Sequence, residues 1–145
     1  MTKETFDMAN QALKDTRLSI CNFQEEAEQI TVGVLRDTDR RIAEWDAAQF
    51  AEITSATNDE TGKPRFSNAE ARAAELAIRQ TASAERKEFA DTQTGLQAQL
   101  AAIRSQIARL QVEASFLSAD VQYAIHQNTA TSGLRSILMD VAGAL

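Results

Sequence analysis

Proline occurs once in this chain, at Pro64, and cysteine and histidine once each, at Cys21 and His126. A lone cysteine excludes an intramolecular disulfide. One histidine and one cysteine far apart cannot assemble a His/Cys metal set, and a Glu-x-x-His di-iron bundle needs two such motifs. A Ser-His-Asp triad would rest wholly on His126, and no G-x-S-x-G turn is present. The Gly62-Lys63 pair lacks the upstream glycine of a phosphate-binding loop. No cofactor, metal or enzymatic activity is therefore expected. No stretch approaches the ~18 apolar residues of a membrane span. The N-terminal MTKETFDMANQALKD carries no apolar core, so a signal peptide is not expected and the chain reads as soluble and cytoplasmic. Cys21 is expected to be a small apolar residue near a helix seam, and His126 a partly exposed residue near a helix end.

The charge is also one-sided. Acidic groups exceed basic ones by 21 to 15, which argues against broad nucleic-acid binding. Residues 1–57 hold most of the excess, with 11 acidic and 6 basic groups; residues 67–127 hold 7 and 6. Glu25, Glu26 and Glu28 point around a helix rather than along one face, a solvated acidic surface. Arg36, Arg40 and Arg41 stand among Asp37, Asp39 and Glu44, a pattern for pairing within one helix.

What the chain does contain is helix former in heptad order. Leu96, Leu100, Ile103, Ile107, Leu110, Ala114, Leu117 and Val121 alternate steps of four and three, the 3.5-residue period that keeps one stripe against a partner helix. The stripe extends back through Phe89 to Ala82. A weaker one runs through Leu13, Ile20, Phe23, Ala27, Ile30 and Val34, with Arg17 where an apolar residue would fit better. It continues through Thr38, Ile42, Trp45 and Gln49 only across a four-residue stutter.

These patterns predict an all-α domain. A first long helix covers residues 1–57, a turn 58–66, a second long helix 67–127, and a short apolar helix 128–145 after a break at NTATSG. Gly62 and Pro64 interrupt the first two helices, and Ser67 with Glu70 offers a capping box with Phe66 ahead of it. Helices of this length would each span about 80–90 Å, which suits an antiparallel two-helix coiled coil. Centring it on the turn places Trp45 near Arg79 and Ile20 near Arg104, and brings Gly33 and Gly95 within about one turn of each other, as a close approach, a bend, or two unrelated tolerated glycines. So thin a fold is expected to form a homo-oligomer, through Val121 and the tail residues Leu134, Ile137, Leu138, Val141 and Leu145. Lys63, Arg65, Phe66 and Arg72 form a basic-aromatic group at the turn. It is a candidate contact for a protein partner, a phosphate or a base, though the same residues also serve a plain solvated turn.

Residues 59–72, DETGKPRFSNAEAR, resemble the tip of small coiled-coil proteins encoded by bacteriophages and prophages, in which D-x-x-G-K-x-x-[FY]-S-N-x-x-x-R joins two long helices. The segment around Leu110, Glu113 and Leu117 resembles the end of their second helix. The chain departs from that pattern in its apolar tail and its Ala- and Gln-rich second helix. The resemblance implies a role around DNA processing or host defence. An elongated acidic helical surface without site chemistry leads to the expectation of a non-enzymatic interaction protein that binds and modulates a protein partner there. The alternatives are a nucleic-acid-binding accessory protein working through the basic tip, and a structural coiled-coil scaffold.

Overall fold

The computed structural model describes the backbone of residues 2–144, and all their side chains except those of 131, 132 and 134–144. Helices α1 (Lys3–Gln29), α2 (Arg36–Ser55), α3 (Ala69–Ala82) and α4 (Ala84–Ala144), with a π-helical turn at Ile30–Leu35 between α1 and α2, account for nearly all of it. Among the described residues there is no strand, only one isolated antiparallel bridge, Thr57 to Pro64. The all-α expectation holds. The residues divide into two units: Glu26–Ala102, and the residues up to Glu25 together with those from Ile103 onward.

In the first unit α2 and α3 pack together, and side-chain pairs give their direction. Arg79 donates to Gln49 (3.0 Å) and to Glu52 (3.1 Å), Gln80 donates to Asp46 (3.0 Å), and Gln93 of α4 donates to Asp39 (2.7 Å). Numbers fall on one side as they rise on the other, so the two arms run antiparallel here. Ile53 is fully buried, and Leu100 and Thr38 nearly so. Arg79 meets Gln49 and Glu52 rather than Trp45, so the pairing is displaced by one to two helical turns. Symmetrical centring assumed two unbroken helices, and the second arm is not unbroken.

The break lies at Ser83, whose backbone is extended (φ −82°, ψ 116°). Its hydroxyl accepts from the Arg86 amide (3.1 Å) and so caps α4, while its own amide still closes the last turn of α3 on Arg79 O (3.0 Å). Ala82 consequently sits exposed instead of extending the stripe, whereas Phe89 is half-buried.

The stutter in the first arm is absorbed by the π-turn. Widening one turn to i→i+5 bonding, seen in the Arg36 amide reaching Thr31 O, uses an extra residue without rotating the buried stripe off its partner. The inward residues then run Ala27, Thr31, Leu35, Thr38 and Ile42, and Val34 is left half exposed. Thr31 and Thr38 donate their hydroxyls to Ala27 O (2.8 Å) and Val34 O (2.9 Å), which lets polar side chains face inward. Gly33 lies in this turn. A Cβ there, or at Gly95, would meet nothing within 4 Å, so neither glycine marks a close approach.

In the second unit Leu13, Thr16, Ile103, Val121 and Ala124 are buried. Thr16 takes the inward place that falls beside Arg17, keeping the steps from Leu13 to Ile20 at three and four. Across both units all eight residues of the Leu96–Val121 stripe are buried or half-buried, and most residues between them are exposed.

Two expected boundaries are corrected. The break at NTATSG does not occur; α4 continues through it to Ala144. Nothing there forbids a helix: Gly133 costs about 1 kcal/mol and the Thr and Ser residues less, with no proline. Thr129 settles its hydroxyl on Ile125 O (2.9 Å). The N-cap of α3 is Asn68, not Ser67. Asn68 Oδ1 accepts from the Ala71 amide at 2.7 Å, which puts Glu70 one place too early for a capping box.

Candidate functional site

The turn between α2 and α3 is built by its own backbone. The Asn58 amide donates to Lys63 O (2.8 Å), the Gly62 amide to Asn58 O (2.8 Å), and the Arg65 amide to Ala56 O (2.9 Å). Asn58 Oδ1 accepts from the Glu60 amide (3.0 Å), an Asx-turn that starts the loop, and Gly62 ends it with φ +66°. Only glycine takes that conformation without strain.

Lys63 and Arg65 are exposed at this tip, and Phe66 and Arg72 are half-buried. The Arg65 guanidinium lies 5.9 Å from the Phe66 ring centroid, and Arg72 Nε donates to the Phe66 carbonyl (3.2 Å). Arg72 therefore fixes the entry of α3, while Lys63 and Arg65 face water. Thr57, Asn58, Asp59, Glu60 and Arg65 line a shallow depression of about 430 Å³. Asp59 and Glu60 offset the two cations, so the tip carries no net positive charge.

Two arginines of the second basic set, Arg40 and Arg41, are paired within their helix. Arg40 holds Asp37 (2.6 Å) and Glu44 (2.7 Å), and Arg41 holds Asp37 (2.9 Å). The Arg40 hydrogen bond, with Arg41 nearby, keeps the Asp37 carboxyl below the usual carboxylate range. Asp39 serves Gln93 instead. Arg40, Arg41, Glu44, Trp45, Glu85 and Phe89 surround another shallow depression of about 430 Å³.

The most constrained polar cluster spans the break at Ser83. Asp46 Oδ1 accepts from Gln80 Nε2 (3.0 Å), at the end of α3, and from Arg86 Nε (2.9 Å), in the first turn of α4. Arg86 Nη2 reaches Asp46 Oδ2 at 3.2 Å. The Arg86 hydrogen bonds, aided by Gln80 and opposed by burial, hold the Asp46 carboxyl below its ordinary range. One side chain of α2 thus grips both sides of the interruption. Sequence reading missed the cluster; the one available signal was Ser83 followed by Glu85, a weak helix-start pattern inside an otherwise helical run.

Cys21 and His126 are exposed. The cysteine is off the seam because Ile20 holds the inward position, about 100° around the helix. His126 stands within α4, well before its end. Glu25, Glu26 and Glu28 are exposed. Among the described residues no three metal-ligating side chains converge, and no helix is long and apolar enough to cross a membrane. Val121, expected at an oligomer contact, is buried, and the side chains of Leu134, Ile137, Leu138, Val141 and Leu145 lie outside those described.

Large apolar side chains stand in water elsewhere. Met8, Leu18, Val32, Val34, Phe50, Ile78, Val112, Phe116, Tyr123 and Ile125 are each at least 45% exposed. No protein-family model matches the chain, and neither a curated protein nor a solved structure is similar to it.

Proposed function

We propose that this chain is a non-enzymatic, phage-type helical interaction protein that binds and modulates a protein partner in DNA processing or host defence. In this reading the helices form a long antiparallel coiled-coil hairpin that works as an oligomer. The observation that carries the interaction role is Val112, Phe116 and Tyr123, large apolar side chains left in water at steps of four and seven along α4, opposite the covered stripe of the same helix. Apolar surface beyond scattered single residues marks a place where another molecule docks. The acidic outer surface adds a second element, a negative face able to compete with nucleic acid for a basic groove. Affinity purification from the host, followed by reconstitution with the purified candidate, tests the proposal. A stoichiometric complex is expected; recovery of no binding protein refutes it.

The Arg65–Phe66 pair favours one alternative, a nucleic-acid contact at the tip. It predicts low-salt binding of single strands that Lys63→Glu with Arg65→Glu removes. An intact protein that shows no binding at low salt eliminates it.

A further inference from the structure

We propose that the groove between α2 and α4, lined by Trp45 and Phe89, binds an arginine-bearing segment of a protein partner. The depression around Arg40, Arg41, Trp45, Glu85 and Phe89 adjoins a second one of about 250 Å³, because Arg41 and Phe89 line both. Glu88 belongs to the second. The Arg86–Asp46 and Gln93–Asp39 hydrogen bonds hold the two helices together alongside the groove, so it exists before any partner arrives. Trp45 and Phe89 are half-buried and leave aromatic surface open in it. The indole N–H of Trp45 has no acceptor among the described residues, and no side-chain polar atom without a partner is fully buried there. That N–H is therefore open to a partner's carbonyl.

Charge selects the occupant. On the α2 wall Arg40 and Arg41 are held by Asp37 and Glu44, so that wall is neutral in itself. On the α4 wall Glu85 and Glu88 are exposed and have no ion-pair or hydrogen-bond partner among the described residues. The cations next to them in sequence are already taken, Arg86 by Asp46 and Lys87 by Asp91. No lysine or arginine stands three or four residues from either glutamate. They stand three residues from each other instead, a spacing at which like charges destabilise a helix. One wall thus carries two uncompensated carboxylates beside open aromatic surface. A guanidinium suits both features: its flat face stacks on an indole, and its fork donates to a carboxylate. A lysine ammonium lacks the fork, and a phosphate would be repelled by Glu85 and Glu88.

The proposal rests on the partner-binding reading and names the partner's chemistry. Trp45 is the one tryptophan of the chain, so its emission reports on this groove alone. Titration of the intact chain with an alanine-rich peptide carrying arginine at every fourth position should change that emission to saturation. Glu85→Gln with Glu88→Gln should weaken binding about ten-fold at unchanged helicity by circular dichroism. Glu25→Gln with Glu26→Gln removes the same charge at exposed positions elsewhere and should leave binding within about two-fold. The lysine counterpart of the peptide should bind more weakly than the arginine peptide. A silent Trp45 overturns the proposal, as does an equal loss in the two double variants. Equal binding of the lysine peptide overturns the choice of arginine, and an emission change produced by a single-stranded oligonucleotide instead overturns the choice of a protein. A host partner whose affinity survives Glu85→Gln with Glu88→Gln overturns the groove while partner binding itself stands.

Discussion

Removing the Asp46 carboxylate tests whether the break at Ser83 is held by a distant side chain or by local sequence. Asp46→Ala deletes the acceptor of Gln80 and both acceptors of Arg86. It strands a guanidinium whose side chain is 18% exposed. Exposed ion pairs contribute up to about 1 kcal/mol, and leaving one partner of a buried pair costs about 3–5 kcal/mol. Asp46 is 28% exposed, so the pair lies between these limits, and a loss of about 2 kcal/mol is expected. Alanine returns about 0.5 kcal/mol through helix propensity, leaving about 1.5 kcal/mol net. Urea unfolding of wild type, Asp46→Ala, Arg86→Ala and the double variant measures the coupling directly. Amide exchange at Arg86 and Lys87, whose amides bond Ser83, should accelerate in Asp46→Ala ahead of the rest of α4.

The pH dependence supplies a second arm. The Asp46 carboxyl is depressed in the folded state from an ordinary value of 3.8. A depressed carboxyl contributes stability that is present above its unfolded pKa and is lost as pH falls through the folded one. The difference between wild type and Asp46→Ala should therefore be constant from pH 5 upward. It should shrink only below about pH 4. A coupling under about 0.5 kcal/mol, or a difference that persists undiminished at pH 2, would refute the assignment.

The turn and helix starts give further tests. Asn68→Ala should cost about 1 kcal/mol of stability by chemical denaturation, and Ser67→Ala only a few tenths, the reverse of what a Ser67 cap requires. Gly62→Ala should destabilise by about 1–2 kcal/mol from conformation alone, because a Cβ there meets nothing within 4 Å. Gly33→Ala and Gly95→Ala should each stabilise by about 0.5–1 kcal/mol, and a loss at either would restore the close-approach reading. Cys21 should react stoichiometrically with a thiol reagent in the folded chain, whereas a buried thiol would require denaturant.

The inward stripes were the legible part of the fold. Heptad spacing is a direct consequence of packing one helix face, so Leu96 to Val121 could be read without knowing the partner. The phase slip was legible too, but not its remedy. A stutter is relieved equally well by supercoil unwinding or by a π-turn, and only the latter moves Val34 outward and Leu35 inward. Adjacent residues of equal capping strength, Ser67 and Asn68, leave a one-residue ambiguity that local propensity cannot resolve. At residues 128–133 a run of mildly unfavourable residues suggested a break, yet no single one is strong enough to stop a helix. At Ser83 the reverse holds. Ala82, Ala84, Glu85 and Arg86 all favour helix, and the interruption coincides with Asp46 from a distant part of the chain, a contact that no window around Ser83 contains.

The outward stripe of α4 was hidden for a different reason. Reading assigned apolar residues of that helix to one seam and treated the remainder as surface, but subtracting the seam leaves Val112, Phe116, Ala119 and Tyr123, which repeat the same spacing. A helix with one covered face typically places charge on the other. Between Leu110 and Ile125 α4 carries only two charged residues, Glu113 and Asp120, both on a single flank. That distribution is what a helix needs if it is covered on two sides and wetted along the edges. It also predicts where charge will be harmful: a Glu introduced at 116 should weaken docking of a protein partner in a pull-down, whereas one at 111, on the wetted edge, should leave both docking and helicity unchanged.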